Sequence, residues 1–292
     1  MSTKIIKKRR QKIIRSTGEK VAHEIVFVFF VVYAITLVYP FLFLLMNSFK
    51  ADINEMSEFP LRFPRSFSFM PYWEALQHRD FRIGEMFFNT ITLTVGQTFV
   101  SMALTCMASY TLAKYRFRLN SPIYTTILIS SVVPTFGAEA STFNLITNIL
   151  HLNNNYLGML LLCGGFGSSF LFLHSFFKEI PWSFAESAML DGASDFRIFL
   201  QIMLPLAKNG IMVFTIMKFM GFWNEYWTPF LYYRAHPTLA VGLATLSKLA
   251  GQRIQYSVFF AGTIMCILPV IIGYAFFANK LMDNLNAGGI KG

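Results

Sequence analysis

The sequence predicts an all-α integral membrane protein with about six transmembrane helices, and three observations carry that expectation. Of 292 residues, 54% are hydrophobic and only 14% are charged, whereas soluble domains carry roughly 25% charged residues. The apolar residues gather in runs long enough to cross a hydrocarbon core, which needs about 20 residues per helix. Lys4, Lys7, Lys8, Arg9, Arg10, Lys12, Arg15 and Lys20 crowd the segment ahead of the first run. Beside an apolar span, such a cluster reads as a cytoplasmic anchor rather than a nucleic-acid patch or a disordered tail. Membrane lipid is therefore an expected partner, and nucleic acid is not. The 33 Phe and 15 Met suit lipid-facing and loosely packed helix surfaces.

Residues 1–24 form the basic N-terminal segment, 25–285 the membrane domain and 286–292 a short tail. The run from Ile25 to Met46 exceeds the ~7–15 residues of a signal-peptide core, and no small-residue cleavage site follows it. It is read as a retained first helix. Six apolar segments qualify as spans, near 25–47, 84–113, 121–142, 155–177, 206–233 and 255–282. Pro134, Gly137, Glu139 and Ser141 interrupt the third, which is expected to be short or broken. Irregular backbone at that depth is tolerated only inside protein or along a wet cavity. With the N-terminus inside, six spans return the C-terminus to the same side. Lys114-Tyr115-Arg116-Phe117-Arg118 and the loop 180–205 then lie inside, and 48–83, 143–154 and 234–254 outside. The outside also holds basic residues, including Lys50, Arg62, Arg65, Arg234 and Lys248, in weaker excess. In the first outer segment Pro60 and Pro64 forbid a regular helix. Ser68 to Leu76 then reads as a capped start and a short amphipathic helix.

Several function classes drop out. Cys106, Cys163 and Cys266 are isolated within apolar runs, so neither a zinc site nor a disulfide framework is suggested. His23, His78, His151, His174 and His236 are scattered and point to no metal. The chain has no G-x-x-x-x-G-K-[ST] loop to cradle phosphates. Gly164 to Ser169 is glycine-rich but lacks the Lys and lies in an apolar span, where close helix packing explains it. No nucleophile–base constellation converges. A non-catalytic chain without its own cofactor or metal is expected.

The segment from Pro181 to Pro205 is polar and helix-forming between strongly apolar runs. Pro181 suits a first helical turn. Phe184-Ala185-Glu186-Ser187-Ala188-Met189-Leu190 favours helix, and Asp191-Gly192 punctuates it. Gly192 offers either an exit with positive φ or a close approach to a partner backbone. Ser194 can cap a second helix through Phe196, Ile198, Phe199 and Ile202, which Leu204-Pro205 ends before the fifth span. The product is a helix, a tight bend and a second helix. Its plainest reading is an interfacial helix–turn–helix lying on the bilayer. The sharper reading is a small plug for a groove on another subunit. Glu186 would supply a rim charge, and small Ser187, Ala188 and Gly192 would permit close backbone approach.

In the fifth span, Lys218 and Glu225 lie two turns apart along one expected helix face. Charges at that depth usually face the interior. They either line a path through the membrane or pair with a neighbouring helix or second subunit. Trp223, Tyr226 and Trp227 could stack on the apolar faces of a ring-shaped ligand, and an aromatic belt or plain packing accounts for them without any ligand. Asn224 completes this candidate path.

Glu186, Gly192, Ile202, Leu204 and Pro205 fit the spacing E-A-A-x3-G-x9-I-x-L-P, which resembles the cytoplasmic EAA loop of ABC-importer permeases. Further segments resemble the carbohydrate-type permeases of the MalG kind. They are Asn47-Ser48-Phe49-Lys50, Phe59-Pro60 through Tyr72, Phe88-Asn89-Thr90, Phe222 through Phe230 with its W-N-E-Y-x-x-P signature, and Thr238 through Leu243. The tail Asn286 to Gly292 is similar to the family's A-G-x-V/I-K-G ending. The likeness covers nearly the whole chain after about residue 25. One departure is Ser187, where the motif usually has Ala.

The resemblance implies a permease of a bacterial cytoplasmic membrane that imports a sugar or oligosaccharide. It would pair with a second, homologous permease. Two ATPase subunits, carrying the ATP and Mg, would each bind an EAA loop, and an extracytoplasmic sugar-binding protein would dock on the other side. Glu186, Ser187, Ala188, Asp191, Gly192, Ile202, Leu204 and Pro205 would form the coupling surface. Gly288, Gly289, Ile290, Lys291 and Gly292 would add a tail contact to the ATPases. The competing class is a self-sufficient secondary transporter, which would predict inverted repeats and coupling-ion carboxylates in broken spans. No internal repeat is evident.

Overall fold

The computed structural model describes residues 17–50, 52–78, 82–133, 137–164, 166–251 and 254–288. The basic cluster Lys4 to Arg15, Pro134 and the tail residues Gly289, Ile290, Lys291 and Gly292 lie outside the described residues. Among the described residues all regular structure is helical, apart from an isolated bridge between Ala250 and Ile254.

Helix α1 (Thr17–Ser48) begins ahead of the expected Ile25. At 1.5 Å per residue its 32 residues reach about 48 Å, longer than a hydrocarbon core of about 30 Å. Phe27, Phe29, Phe30 and Phe41 are all exposed. Such a surface suits acyl chains and would be untenable in water. Near its end, Phe43 meets Phe260 of α15 (Tyr256–Gly288) edge-on at 5.9 Å.

The segment after α1 is folded, as the sequence suggested. Helix α2 (Ile53–Glu58) and helix α3 (Met70–Gln77) flank a proline-bearing loop. Lys50 is wholly buried, and its ammonium donates to the Phe59 and Pro60 carbonyls at 2.7 and 3.4 Å. Burial pulls the Lys50 pKa below its usual value, with the Glu55 carboxylate opposing that shift. Phe49 sits among Phe67, Phe69 and Tyr72. Phe69 rather than Ser68 takes the position before α3, although the Ser68 hydroxyl does accept the Met70 N–H at 3.1 Å.

Helix α4 (Ile83–Lys114) is the axis of the bundle. It inverts the soluble pattern, burying Thr90, Thr94, Gln97, Thr98, Ser101, Thr105 and Ser109 while exposing Phe88, Val95 and Phe99. In lipid, apolar side chains gain nothing by facing inward, so small and polar residues take the helix contacts. Each tie goes to a different element. Gln97 donates to the Met159 carbonyl at 3.0 Å, Ser109 to the Phe170 carbonyl at 3.2 Å, and the Leu239 N–H donates to the Thr90 hydroxyl at 2.8 Å.

Several of the six expected spans are interrupted. Only three described helices are individually long and apolar enough, within α1, α4 and α15. The third predicted span breaks into α5 (Asn120–Val132) and α6 (Ala138–Asn144), with Gly137 at φ +85° ahead of α6. A π-helical turn, Leu145–Ile149, continues α6. The fourth splits into α7 (Tyr156–Leu162) and α8 (Gly167–Glu179), bent by 64°. After α9 (Ser183–Leu190) come α10 (Asp195–Ile198), a π-helical turn over Phe199–Met203 and α11 (Leu204–Leu206). This stretch meets α12 (Lys208–Asn224) at an 82° bend. The fifth predicted span thus starts at Lys208 and stops at Asn224. Helices α13 (Trp227–Tyr232) and α14 (Leu239–Leu249) follow outside it.

Candidate functional site

The loop 180–205 folds as a helical hairpin fastened to the end of α4. Helix α9 closes with a complete Schellman motif. The Gly192 N–H donates to the Met189 carbonyl at 3.0 Å and the Ala193 N–H to the Ala188 carbonyl at 2.9 Å. That geometry requires a left-handed residue, and Gly192 has φ +79°. A Cβ added there would meet nothing within 4 Å. Of the two uses open to Gly192 in the sequence, the structure displays the positive-φ exit. Ser194 precedes α10, but its hydroxyl makes no capping hydrogen bond. Pro205 has no N–H for the helical ladder and its ring crowds the preceding turn. The wider π-helical turn just ahead of it, with the Leu204 N–H on the Phe199 carbonyl, absorbs that misfit.

Helix α9 has two faces. Ala185 and Ala188 point inward, against a cluster of Phe177, Ile198, Met203 and Ala207. Ala188 therefore seats the helix on its own chain and is not available for the outward close approach expected of it. Glu186, Ser187, Asp191 and Gly192 are exposed, and Leu190 is 90% exposed. Phe184 and Phe196 are exposed beside them. Ile202 and Leu204 are half-buried and Pro205 is exposed.

The residues that hold this hairpin were missed in the sequence, which counted 114–118 only as charge. The Lys114 ammonium donates to the Ile180 and Lys178 carbonyls at the end of α8. The Tyr115 hydroxyl donates to the Asp195 carboxylate at 3.0 Å and lies 3.3 Å from the Tyr110 hydroxyl. Burial first, then its hydrogen bonds to Tyr110 and Asp195, drive the Tyr115 pKa up, so it stays a donor. Tyr110 packs on Phe177 and Phe199, and Tyr115 on Trp182. An aromatic pair at the end of an apolar span, ahead of a basic cluster, was the available signal.

At the other end of α12 the candidate path residues part company. Lys218 is half-buried and donates to the Ser101 hydroxyl of α4 at 2.7 Å. Glu225 lies past the end of α12, so the two do not share one helix face. Its carboxylate instead accepts the Trp227 and Thr228 N–H groups at 2.9 and 3.1 Å, capping α13. The cap opens α13 just where α12 has ended, four residues ahead of Pro229, which cannot continue a helical ladder. Trp223 is buried, stacked on Phe219 and edge-on to Phe87, which is packing rather than an open aromatic face. Asn224 is exposed, and its amide donates to the Met220 carbonyl. Tyr226 stacks on Phe230 at 5.3 Å.

Residues 102–279 match the family model described as binding-protein-dependent transport system inner membrane component. The chain belongs to this family. Curated relatives include a diacetylchitobiose uptake system permease of Streptomyces coelicolor, NgcG, 29% identical over 89% of this chain and 86% of the relative. The maltodextrin transport permease MalD of Streptococcus pneumoniae is 28% identical over 94% of this chain and 97% of its own length. Among solved structures, a chain of a bacterial ABC transporter involved in alginate import superposes with a TM-score of 0.80. It shares 21% identity and is covered over 99% of its length, against 92% of this chain. That likeness establishes the fold, and with the family it makes this permease a multi-pass membrane protein.

Proposed function

We propose that this permease is one of two membrane subunits of an ATP-driven, binding-protein-dependent importer for a sugar or oligosaccharide. The carbohydrate class rests on what the named relatives carry. The observation that carries the coupling role is the two-faced α9. Its inner face packs on the permease through Ala185 and Ala188, the adjoining α10 is tied down by the Tyr115–Asp195 bond, and the outer face of α9 leaves Glu186, Ser187 and Leu190 exposed. A partner gripping that face would move α10–α11 as a lever, and the 82° elbow at Ala207 passes the motion into α12.

In this reading two ATPase subunits, carrying ATP and Mg, each hold one such loop. One loop comes from this chain and one from a second, homologous permease. A sugar-binding protein docks on the opposite side. In this reading the end where α4 and α8 meet the loop is the cytoplasmic one in a bacterial inner membrane. The interrupted third segment and both bent pairs are each taken as one crossing, for six in all with both termini inside. Gly288 to Gly292 belong to the reading as a second contact to the ATPases. Closure of the ATPases would switch access, a ligand-biased two-state element.

The test is native mass spectrometry and ATPase assay on the complex captured through an N-terminal tag. A mass equal to this chain, one different permease and two ATPase copies is expected. A lone chain or homodimer without ATPase activity in mild detergent would overturn the reading.

A further inference from the structure

At the end of the permease opposite the Glu186 hairpin, one aromatic ring gathers two cations. The Arg234 guanidinium carbon and the Lys248 ammonium each lie 5.5 Å from the centroid of Phe230. They arrive from different elements, Arg234 just after α13 and Lys248 in the last turn of α14. The two positive charges therefore stand within about 11 Å of each other. Both residues are exposed, and among the described residues neither forms an ion pair. The carboxylate nearest in sequence, Glu225, already accepts the N–H groups that open α13.

The same ring belongs to an aromatic platform. Tyr226 and Trp227 stack on Phe230 at 5.3 and 6.1 Å, with interplanar angles of 26° and 27°, and Trp227 is 48% exposed. Ring faces of this kind take the CH faces of pyranoses. Two unneutralised cations beside them are surplus to a neutral sugar. A guanidinium fork in particular matches a carboxylate.

We propose that Trp227, Tyr226 and Phe230, with Arg234 and Lys248, form an entry subsite for a carboxylated sugar, an oligosaccharide of the uronic-acid type. Phe230 fixes the two charges at the edge of the platform, so that a pyranose lying on the exposed Trp227 places its carboxylate between them. The inference rests on the importer reading and narrows its substrate class.

The test uses the intact detergent-solubilised complex, with tetragalacturonate as the anionic probe and maltotetraose as the neutral one, each radiolabelled for equilibrium dialysis. Saturable tetragalacturonate binding is expected, at least tenfold tighter than maltotetraose and weakening as salt screens the charges. The double variant Arg234→Gln/Lys248→Gln should lose at least tenfold, and Arg234→Lys/Lys248→Arg should restore most of it. Should the glutamine variant fail to assemble, the salt dependence and the two-probe ratio on the wild-type complex decide. Equal affinity for both probes, or undiminished binding in an assembled glutamine variant, would overturn the proposal. So would displacement of the probe by phosphatidylglycerol, which would make the cations a lipid-headgroup contact. Failure of the importer reading would register separately, as a complex mass lacking the ATPases and second permease.

Discussion

Gly192 offers the sharpest test of the coupling hairpin, because its two possible roles predict different outcomes. Its φ of +79° places an L-residue at a cost of roughly 1–2 kcal/mol relative to the right-handed region. A Cβ there meets nothing within 4 Å, so Gly192→Ala adds no clash and the cost is conformational alone. About 1.4 kcal/mol is tenfold in an equilibrium. Amide exchange at Gly192 and Ala193, whose N–H groups close the Schellman motif, should therefore accelerate about tenfold in Gly192→Ala. Asn tolerates left-handed backbone, so Gly192→Asn should lose clearly less. ATPase stimulation by the loaded binding protein should follow the same order: Gly, Asn, Ala. Wild-type exchange in Gly192→Ala would refute the conformational argument. Lost stimulation with unchanged exchange would transfer Gly192 to the other role, close approach by a partner.

Tyr115→Phe removes the donor to Asp195. A loss of roughly 1 kcal/mol is expected for a partly exposed bond, read as faster exchange in α10 with the complex still assembled. Glu225→Ala leaves the Trp227 and Thr228 N–H groups uncapped, a loss of about 1 kcal/mol; thermal unfolding in detergent should report it, and Glu225→Asp should recover part. Lys218 and Ser101 should couple by roughly 1 kcal/mol in a double-mutant cycle of Lys218→Met and Ser101→Ala; strict additivity would deny that their 2.7 Å contact ties α4 to α12. Lys50 has a folded-state pKa below its unfolded value, so its charged form opposes folding. That opposition is in full below the folded pKa and fades as pH rises toward the unfolded value. Stability should thus gain from Lys50 as pH rises toward its ordinary pKa, and Lys50→Met should flatten that alkaline slope in thermal unfolding.

The helical class, the end of α1, both ends of α4 and the start of α15 were legible because apolar runs of those lengths have one common solution in lipid. The hairpin was legible for a different reason. Ala185, Glu186 and Gly192 obey local rules of helix propensity and capping that need no tertiary context. The breaks were legible only in part. The sequence ended the helix before the fifth span at Pro205, and the 82° elbow comes two residues later at Ala207, just ahead of the polar Lys208-Asn209-Gly210. At Asn224 the chain looks like mid-span by hydropathy, yet Pro229 cannot donate to the Glu225 carbonyl, and the Glu225 carboxylate caps the new helix by accepting the Trp227 N–H. A count of hydrophobic residues treats Glu225 as a charge to be explained. The backbone treats it as a cap.

That difference alters how charge in this membrane domain is to be understood. Glu225 is occupied by α13, and Lys218 donates to a hydroxyl on the bundle's axis. Both ionisable groups that the sequence offered either for a path or for pairing thus have partners inside the fold. The exposed, unneutralised charge instead stands on Arg234 and Lys248, beyond α13 and around the one ring that also carries the exposed aromatic platform. A permease that selects an anion by charge gains most by doing so at the mouth, where attraction raises the local concentration, and least at mid-depth, where a free charge would hold its ligand against release. Lys218 and Glu225 are thus partnered within the bundle, whereas Lys248 and Arg234, whose Nε donates to the Phe230 carbonyl at 3.1 Å, pair with no carboxylate among the described residues.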